Sequence, residues 1–115
     1  MSVRNIGLDI VDVGRISQAM QNPRFIERIL HPDERVCRLD PMHVAGRWAA
    51  KEAIAKALGT NPRWHDVIIT NDHTGAPVAH VAPDRLPAGN RVLLSITHER
   101  DVAAAVAILV DVVGP

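Results

Sequence analysis

The first apolar stretch of the chain, residues 3–13 (VRNIGLDIVDV), has the composition of a largely buried strand. One carboxylate, that of Asp9, lies in its middle. Aspartate is uncommon in strands, and an ionised carboxylate in apolar surroundings costs several kcal/mol unless a cation or a metal pairs with it. The pattern therefore predicts both a strand and a partner for Asp9.

Further along the chain, the apolar pattern changes from helical to strand-like periodicity near Gly59. Asn22 and Pro23 are of the types that begin a helix, and Gly59 is of the type that ends one. The predicted helices are a segment from Gly14, residues 23–30, a short helix within 31–41, and 42–58. The predicted strands are 3–13, 65–70, 76–82, 91–97 and 101–110, the last being alanine-rich enough for a helix. This order predicts an α+β fold, with a long helix on a mostly antiparallel sheet, in a single domain of residues 1–115.

The longest helical pattern, residues 42–58, distributes its side chains unusually. At about 100° per residue, one face collects small apolar residues and is expected to lie against the sheet. These residues are Ala49, Ala50, Ala53, Ile54 and Ala57. The opposite half carries the charged residues Arg47, Lys51, Glu52 and Lys56, with Trp48 among them. This half is either a solvated face with a Glu52–Lys56 pair or a surface for phosphate chemistry, and the chain's only two lysines lie here.

Composition narrows the classes of protein to consider. The formal net charge is +0, which argues against a protein that mainly binds nucleic acid. Residues 1–63 carry ten Lys/Arg and seven Asp/Glu, a balance of +3, so a mildly basic surface could meet an acidic partner. Cys37 is the only cysteine and is expected to be structural, in a reducing compartment. Neither a signal peptide nor a membrane-spanning stretch is evident, which predicts a cytoplasmic protein without membrane contact.

Two carboxylates in unusual places suggest a metal site. Asp9 and Glu52, if brought together, would give the hard oxygen ligands that Mg²⁺ prefers, with substrate phosphates completing the shell. Arg47, Lys51 and Lys56 would meet the phosphate charge. A magnesium-dependent nuclease is an alternative, although the neutral charge and few aromatics disfavour it. A catalytically idle binding domain is another, and histidine spacing disfavours a zinc enzyme.

Four segments together resemble one known family. "IGLDIVDVGRI", "RFIERILHPDE", "AGRWAAKEAIAKALGT" and "LLSITHERDVAAAVAIL" occur in the order and spacing of bacterial holo-acyl-carrier-protein synthases, the short 4′-phosphopantetheinyl transferases. The resemblance covers nearly the whole chain. It implies transfer of 4′-phosphopantetheine from coenzyme A to a serine of an apo acyl carrier protein, which releases adenosine 3′,5′-bisphosphate. The carrier could serve fatty acid synthesis or a polyketide-type pathway.

The resemblance also implies roles for individual residues. Asp9 and Glu52 match the Mg²⁺ ligands, and Glu52 would help to deprotonate the carrier serine. Lys56 matches the residue that assists the leaving phosphate. The remaining coenzyme A-binding positions that match are Arg47, Lys51, Ser95 and His98, the last two within the pattern Ser95-Ile96-Thr97-His98. Glu99 departs from the Ser or Thr common in the family, so no nucleotide contact is carried over to it.

Carrier docking and assembly are implied in the same way. Arg15, Arg24 and Arg28 match the basic early helices that meet the acidic carrier helix, with Phe25 as an apolar anchor; a solvated helix face is the alternative. The segment from residue 31 to 46 is shorter than is usual, and Trp48 replaces a common phenylalanine. The family commonly forms homotrimers with active sites between protomers, which we expect here.

Overall fold

The computed structural model describes residues 1–36 and 39–112. Its helices are α1 (Val13–Ala19), α2 (Arg24–Ile29) and α3 (Pro41–Leu58), with short 3₁₀ turns at Pro32–Glu34 and Trp64–Asp66. Its strands are β1 (Ser2–Asp12), β2 (Val67–Asn71), β3 (Pro77–Val81), β4 (Asn90–Glu99) and β5 (Val102–Asp111). The predicted role of Cys37 lies outside the described residues. Within the described ranges, no helix is both long and apolar enough to cross a membrane.

The strands form two antiparallel sheets. A three-stranded sheet has the order β1-β5-β4, and β2 pairs with β3 in a separate hairpin. The alanine-rich segment that could also have been helical is the central strand, β5, because both of its edges are paired. The α+β class with helices on antiparallel sheets is confirmed.

Helix α3 lies across the three-stranded sheet through its small-residue face. All five predicted contact residues are fully buried there. The helix ends as predicted at Gly59, whose φ of 68° is left-handed. Helix α2 begins one residue later than predicted, at Arg24, although the Asn22 side chain still accepts a hydrogen bond from the Arg24 N–H.

Three apolar residues of strand β1 are exposed, although the sequence pattern predicts that they are buried. Ile6, Leu8 and Ile10 are 60%, 65% and 69% exposed, whereas Gly7 and Val11 face α3. The expectation that the apolar residues of β1 are buried is therefore wrong for these three positions. They lie on the outer face of the sheet, and Asp9 shares the inner face with Gly7.

The inner face of β1 allows α3 to approach very closely. A Cβ built on Gly7 would lie 1.9 Å from the Ala53 carbonyl oxygen and 2.7 Å from the Ala57 nitrogen. Any side chain at this position would therefore force the helix and the strand apart. Gly7 sets the distance between the two elements that carry Asp9, Glu52 and Lys56.

We predict that Gly7→Ala destabilises the protein by roughly 2–3 kcal/mol, because the added methyl group overpacks against helix backbone. Thermal and urea unfolding would measure the loss. Gly14→Ala is the control, since a Cβ there meets its nearest atom at 3.5 Å. Alanine is favoured over glycine within a helix, so this control should be neutral or mildly stabilising. Equal stability of the two variants would contradict the close approach.

Candidate active site

The partner of Asp9 is the ammonium group of Lys56. The Asp9 side chain is 16% exposed, and its Oδ1 lies 3.3 Å from Lys56 Nζ. The same ammonium donates a 2.8 Å hydrogen bond to the Leu8 carbonyl oxygen. The carboxylate in the strand is therefore paired with a cation at the edge of α3. The alternative Glu52–Lys56 pair is absent from the ion pairs of the described residues, because Lys56 turns towards β1.

Glu52 belongs to the same side of α3 as Lys56, one turn earlier. Helix α3 runs antiparallel to β1: Asn5 Nδ2 donates to the Ala57 carbonyl oxygen at 2.9 Å, and Gly7 lies against Ala53. Two strand residues advance about as far as four helix residues, so Asp9 lies level with the turn that carries Glu52. The Glu52 side chain is half-buried and makes no hydrogen bond or ion pair within the described ranges.

A second set of polar residues lines a cavity of about 310 Å³ on the other flank of α3. Its lining includes Arg47, His43, His98 and Ile96, together with the β2–β3 hairpin. Arg47 donates a 2.6 Å hydrogen bond to Asn71 Oδ1. Arg47 and His98, both predicted to bind the nucleotide, thus line one cavity, which His43 and the acidic residue Asp40 also line.

The two groups of residues face different directions. Arg47 and Lys56 are nine positions apart on α3, which places them about half a turn apart in direction and about 13 Å apart along the axis. Asp9 and His98 lie on the two outer strands, β1 and β4, with β5 between them. One chain therefore presents two partial sites on opposite flanks of the same helix.

The observed position of Lys51 does not fit the predicted role of this residue in phosphate binding. Its side chain is 3% exposed, and Nζ donates to the Ile29 carbonyl (2.7 Å), Glu34 Oε1 (2.6 Å) and the Trp64 carbonyl (2.9 Å). Each of the three N–H bonds has a protein acceptor, so none remains for a phosphate. At Lys51 the charged half of α3 is therefore not exposed to solvent, because α2 and the Trp64–Asp66 turn cover it.

Burial lowers the pKa of Lys51 from its ordinary value, although the hydrogen bond and charge of Glu34 oppose the shift. A lysine whose pKa is lower in the folded state makes stability rise with pH between that pKa and its ordinary value. The pKa of Asp72 is lowered as well, mainly by the hydrogen bond from the Thr74 side chain. Asp72 holds the tip of the β2–β3 hairpin next to the Arg47 cavity.

The structure does not bring Ser95 to the nucleotide cavity. Ser95 is exposed and lies opposite Val106 in the sheet, on the same outer face as Leu93. His98 has the other orientation, towards the cavity. Because side chains alternate along a strand, the pattern Ser95-Ile96-Thr97-His98 cannot direct both its first and its last residue to one face. The predicted coenzyme A contact of Ser95 therefore has no support within one chain.

An aromatic cluster lies next to Glu52, on the side of the early helices. Trp48 stacks on Phe25 with a 5.8 Å separation of ring centroids, and Trp64 lies 4.6 Å from Trp48. The Arg15 guanidinium is 5.7 Å from the centroid of Trp48. Phe25 is therefore half-buried in a stack and is not a freely exposed anchor. Arg24 and Arg28 of α2 are exposed.

Sequence reasoning missed three residues of this region. Asn71 holds Arg47, Trp64 completes the aromatic cluster, and buried Glu34 holds Lys51. A carboxylate between two turns is typical of a surface residue, so nothing in the pattern marked Glu34. The only available signal for Trp64 was its scarcity, since the chain has two tryptophans.

Comparisons with known proteins identify the family of this chain. The model of the 4′-phosphopantetheinyl transferase superfamily matches residues 5–107. The holo-[acyl-carrier-protein] synthase of Chlorobium chlorochromatii is 44% identical, with 90% of this chain and 98% of the relative covered. That of Alkaliphilus metalliredigens is 35% identical, with 92% and 98% covered.

Solved structures agree with the family match. The Helicobacter pylori holo-[acyl-carrier-protein] synthase in complex with coenzyme A has a TM-score of 0.84 at 30% identity, covering 91% of this chain and 99% of that one. The Bacillus anthracis enzyme, in complex with CoA (3′,5′-ADP), has a TM-score of 0.82 at 33% identity, covering 95% and 97%. These matches favour the transferase over the nuclease alternative. The chain belongs to the 4′-phosphopantetheinyl transferase superfamily and, within it, to the holo-acyl-carrier-protein synthases.

Proposed function

We propose that the protein transfers 4′-phosphopantetheine from coenzyme A to a serine of an apo acyl carrier protein, with Asp9 and Glu52 holding Mg²⁺. Membership of the holo-acyl-carrier-protein synthases supports the reaction. The single observation that carries the site assignment is at the edge of α3. There the Asp9–Lys56 pair lies level with the Glu52 carboxylate, which has no hydrogen bond or ion pair among the described residues. Asp9, Glu52 and Lys56 are the residues to which we assign the chemistry.

The donor set fits Mg²⁺ and not a cage made of protein ligands alone. No cluster of three or more His, Cys, Asp or Glu side chains suited to a metal occurs within residues 1–36 and 39–112. Mg²⁺ usually takes one or two protein carboxylates and completes its shell with water and substrate phosphate oxygens. Asp9 and Glu52 supply two carboxylates. When bound, the metal would neutralise charge on the pyrophosphate of coenzyme A.

The chain's own residues provide the proton transfer and a positive charge. Glu52, directly or through a water molecule, takes the proton from the carrier serine hydroxyl. The serine oxygen bonds to the β-phosphorus of coenzyme A, and the bond from that phosphorus to the bridging oxygen breaks. Lys56 stabilises negative charge on the departing adenosine 3′,5′-bisphosphate. The Leu8 carbonyl and Asp9 hold its ammonium group for this role.

We assign the nucleotide end of coenzyme A to the cavity of Arg47 and His98. Arg47 carries a permanent charge, and its hydrogen bond to Asn71 fixes the orientation of the guanidinium group. His98 also borders a larger, open cavity of about 560 Å³ at the β4–β5 turn, which includes Glu99. Glu99 is acidic, so we assign it no phosphate contact.

The position of the two partial sites supports an active site shared between protomers. The pyrophosphate residues and the nucleotide residues lie on opposite flanks of α3, so a second copy must supply one set. The exposed apolar face of β1 offers the contact surface, because large exposed apolar patches mark interaction sites. We therefore propose a homotrimer in which this sheet face is buried.

Carrier docking is assigned to the basic surface of α1 and α2. Arg15, Arg24 and Arg28 are exposed; Arg15 lies over Trp48, and Arg24 and Arg28 are on α2, which carries Phe25 of the aromatic cluster. They suit an acidic carrier helix, whether the carrier serves fatty acid synthesis or a polyketide-type pathway. Cytoplasmic location stays a prediction.

We predict that Asp9→Ala and Glu52→Ala each abolish transfer while leaving the fold intact, because each removes a metal ligand. The intact mass of an apo carrier, after incubation with coenzyme A and Mg²⁺ or EDTA, measures the reaction. Asp84→Asn, which changes an exposed carboxylate of the β3–β4 connection, is the control and should transfer normally. Near-normal transfer by either alanine variant at saturating Mg²⁺ would disprove the site assignment.

We predict that Arg24→Glu/Arg28→Glu raises the KM for the carrier about tenfold or more, since reversing two charges turns attraction to an acidic helix into repulsion. The KM for coenzyme A should stay unchanged. Glu27→Gln, on the same exposed helix, is the control. An unaltered KM for the carrier would reject this docking surface.

We predict that Leu8→Glu converts the homotrimer to monomers and removes activity, because a buried, unpaired charge at each interface opposes assembly. Sedimentation or light scattering measures the mass. Val36→Glu replaces another exposed apolar residue, 88% exposed, and should leave the mass unchanged. A monomeric wild-type protein with full activity would contradict the shared site.

A further inference from the structure

The most deeply buried charges of the described residues belong to Lys51 and Glu34, neither of which takes part in the chemistry proposed above. Lys51 and Glu34 form a 2.6 Å ion pair, with side chains 3% and 0% exposed. Glu34 Oε1 also accepts from the His31 N–H at 2.9 Å, and its Oε2 accepts from the Ile69 N–H at 3.0 Å. The pair thereby links the turn at residues 31–34 to α3 and β2.

Lys51 extends these links to two more segments. Its ammonium group donates to the Ile29 carbonyl at the end of α2 and to the Trp64 carbonyl at the start of the second 3₁₀ turn. Helix α2 carries Phe25, and both Phe25 and Trp64 contact Trp48. One buried ion pair thus joins α2, one of the two helices of the proposed carrier surface, and Trp64 to the turn of α3 that holds Glu52.

Glu52 itself has no such support. It follows Lys51 directly, and its side chain lacks a hydrogen bond within the described part of the chain. It borders a small cavity of about 110 Å³, together with Lys51 and Trp64. The turn of α3 that carries Glu52 is linked to the neighbouring segments through the three hydrogen bonds of Lys51.

The energetics also indicate a role beyond stability. Desolvating two charges costs several kcal/mol each, and a well-packed apolar pair is often as stable as a buried ion pair or more so. Apolar side chains could not fix the orientation of the two backbone carbonyl groups and two backbone N–H groups that this pair contacts. Resting on the function proposed above, the geometry points to Glu34 and Lys51 as positioning residues that hold Glu52 and the carrier-facing aromatic cluster in register.

The test separates positioning from stability. Glu34→Gln/Lys51→Met removes both charges, and the oxygen of the introduced amide can still accept from the N–H of His31 or of Ile69. We expect a folded protein with a cooperative thermal transition. Its kcat should fall at least tenfold, its KM for coenzyme A should stay within twofold, and its Kd for Mn²⁺ alone should rise at least threefold. Arg85→Met, which removes the partly exposed ion pair with Asp66, is the control and should change none of these values.

Each outcome decides the proposal. A folded variant with wild-type kcat and Mn²⁺ affinity would overturn it. Should this variant not fold, Glu34→Leu/Lys51→Met is measured in the same way. Failure of both to fold, with Arg85→Met folded, would show that the pair serves stability alone and would also overturn the proposal. Failure of the proposed metal site is recognised separately, because Asp9→Ala would then bind Mn²⁺ as tightly as the wild type.

Discussion

The site depends first on how closely α3 lies on β1. The contact is made by Gly7 on the strand and by Ala53 and Ala57 on the helix, and it brings the two backbones together. At this separation a short aspartate side chain on the strand can reach the end of a lysine on the helix. Larger side chains at the contact would move Asp9 away from Lys56 and from the turn that carries Glu52.

Much of this arrangement could be predicted from the sequence, because the local sequence patterns and the tertiary packing favour the same structure. Helix α3 has a glycine at its end and one continuous small-residue face, and both predict where it stops and what it covers. The β-branched and other aliphatic residues of β4 and of the VAILV end of β5 predict strands, and the antiparallel pairing of the two agrees with this. Asp9 and Glu52 were recognisable because a carboxylate is unusual where each occurs, and the family resemblance gave them a role.

The parts that could not be predicted depend on elements distant in sequence. A helical wheel treats Lys51 as a member of the charged half, but Ile29, Glu34 and Trp64 converge on it from three other segments. Ile6, Leu8 and Ile10 are apolar and suggest burial, whereas a single chain leaves them exposed. Tertiary contacts create the environment of Lys51, and the proposed contacts between copies would create that of the three β1 residues; a local pattern contains neither.

The aromatic cluster has a consequence for how this protein can be observed. The chain has two tryptophans, one phenylalanine and no tyrosine, and all three aromatic side chains lie in the one stack of Phe25, Trp48 and Trp64. Its absorption near 280 nm, and the tryptophan fluorescence excited at that wavelength, therefore originate at one place, beside α1, α2 and the turn of α3 that carries Glu52. The Arg47 cavity contains no aromatic ring other than histidine among the described residues that line it. Intrinsic fluorescence therefore reports structural changes and binding near the aromatic cluster, on one flank of α3. It responds little to changes on the other flank, where the Arg47 cavity lies.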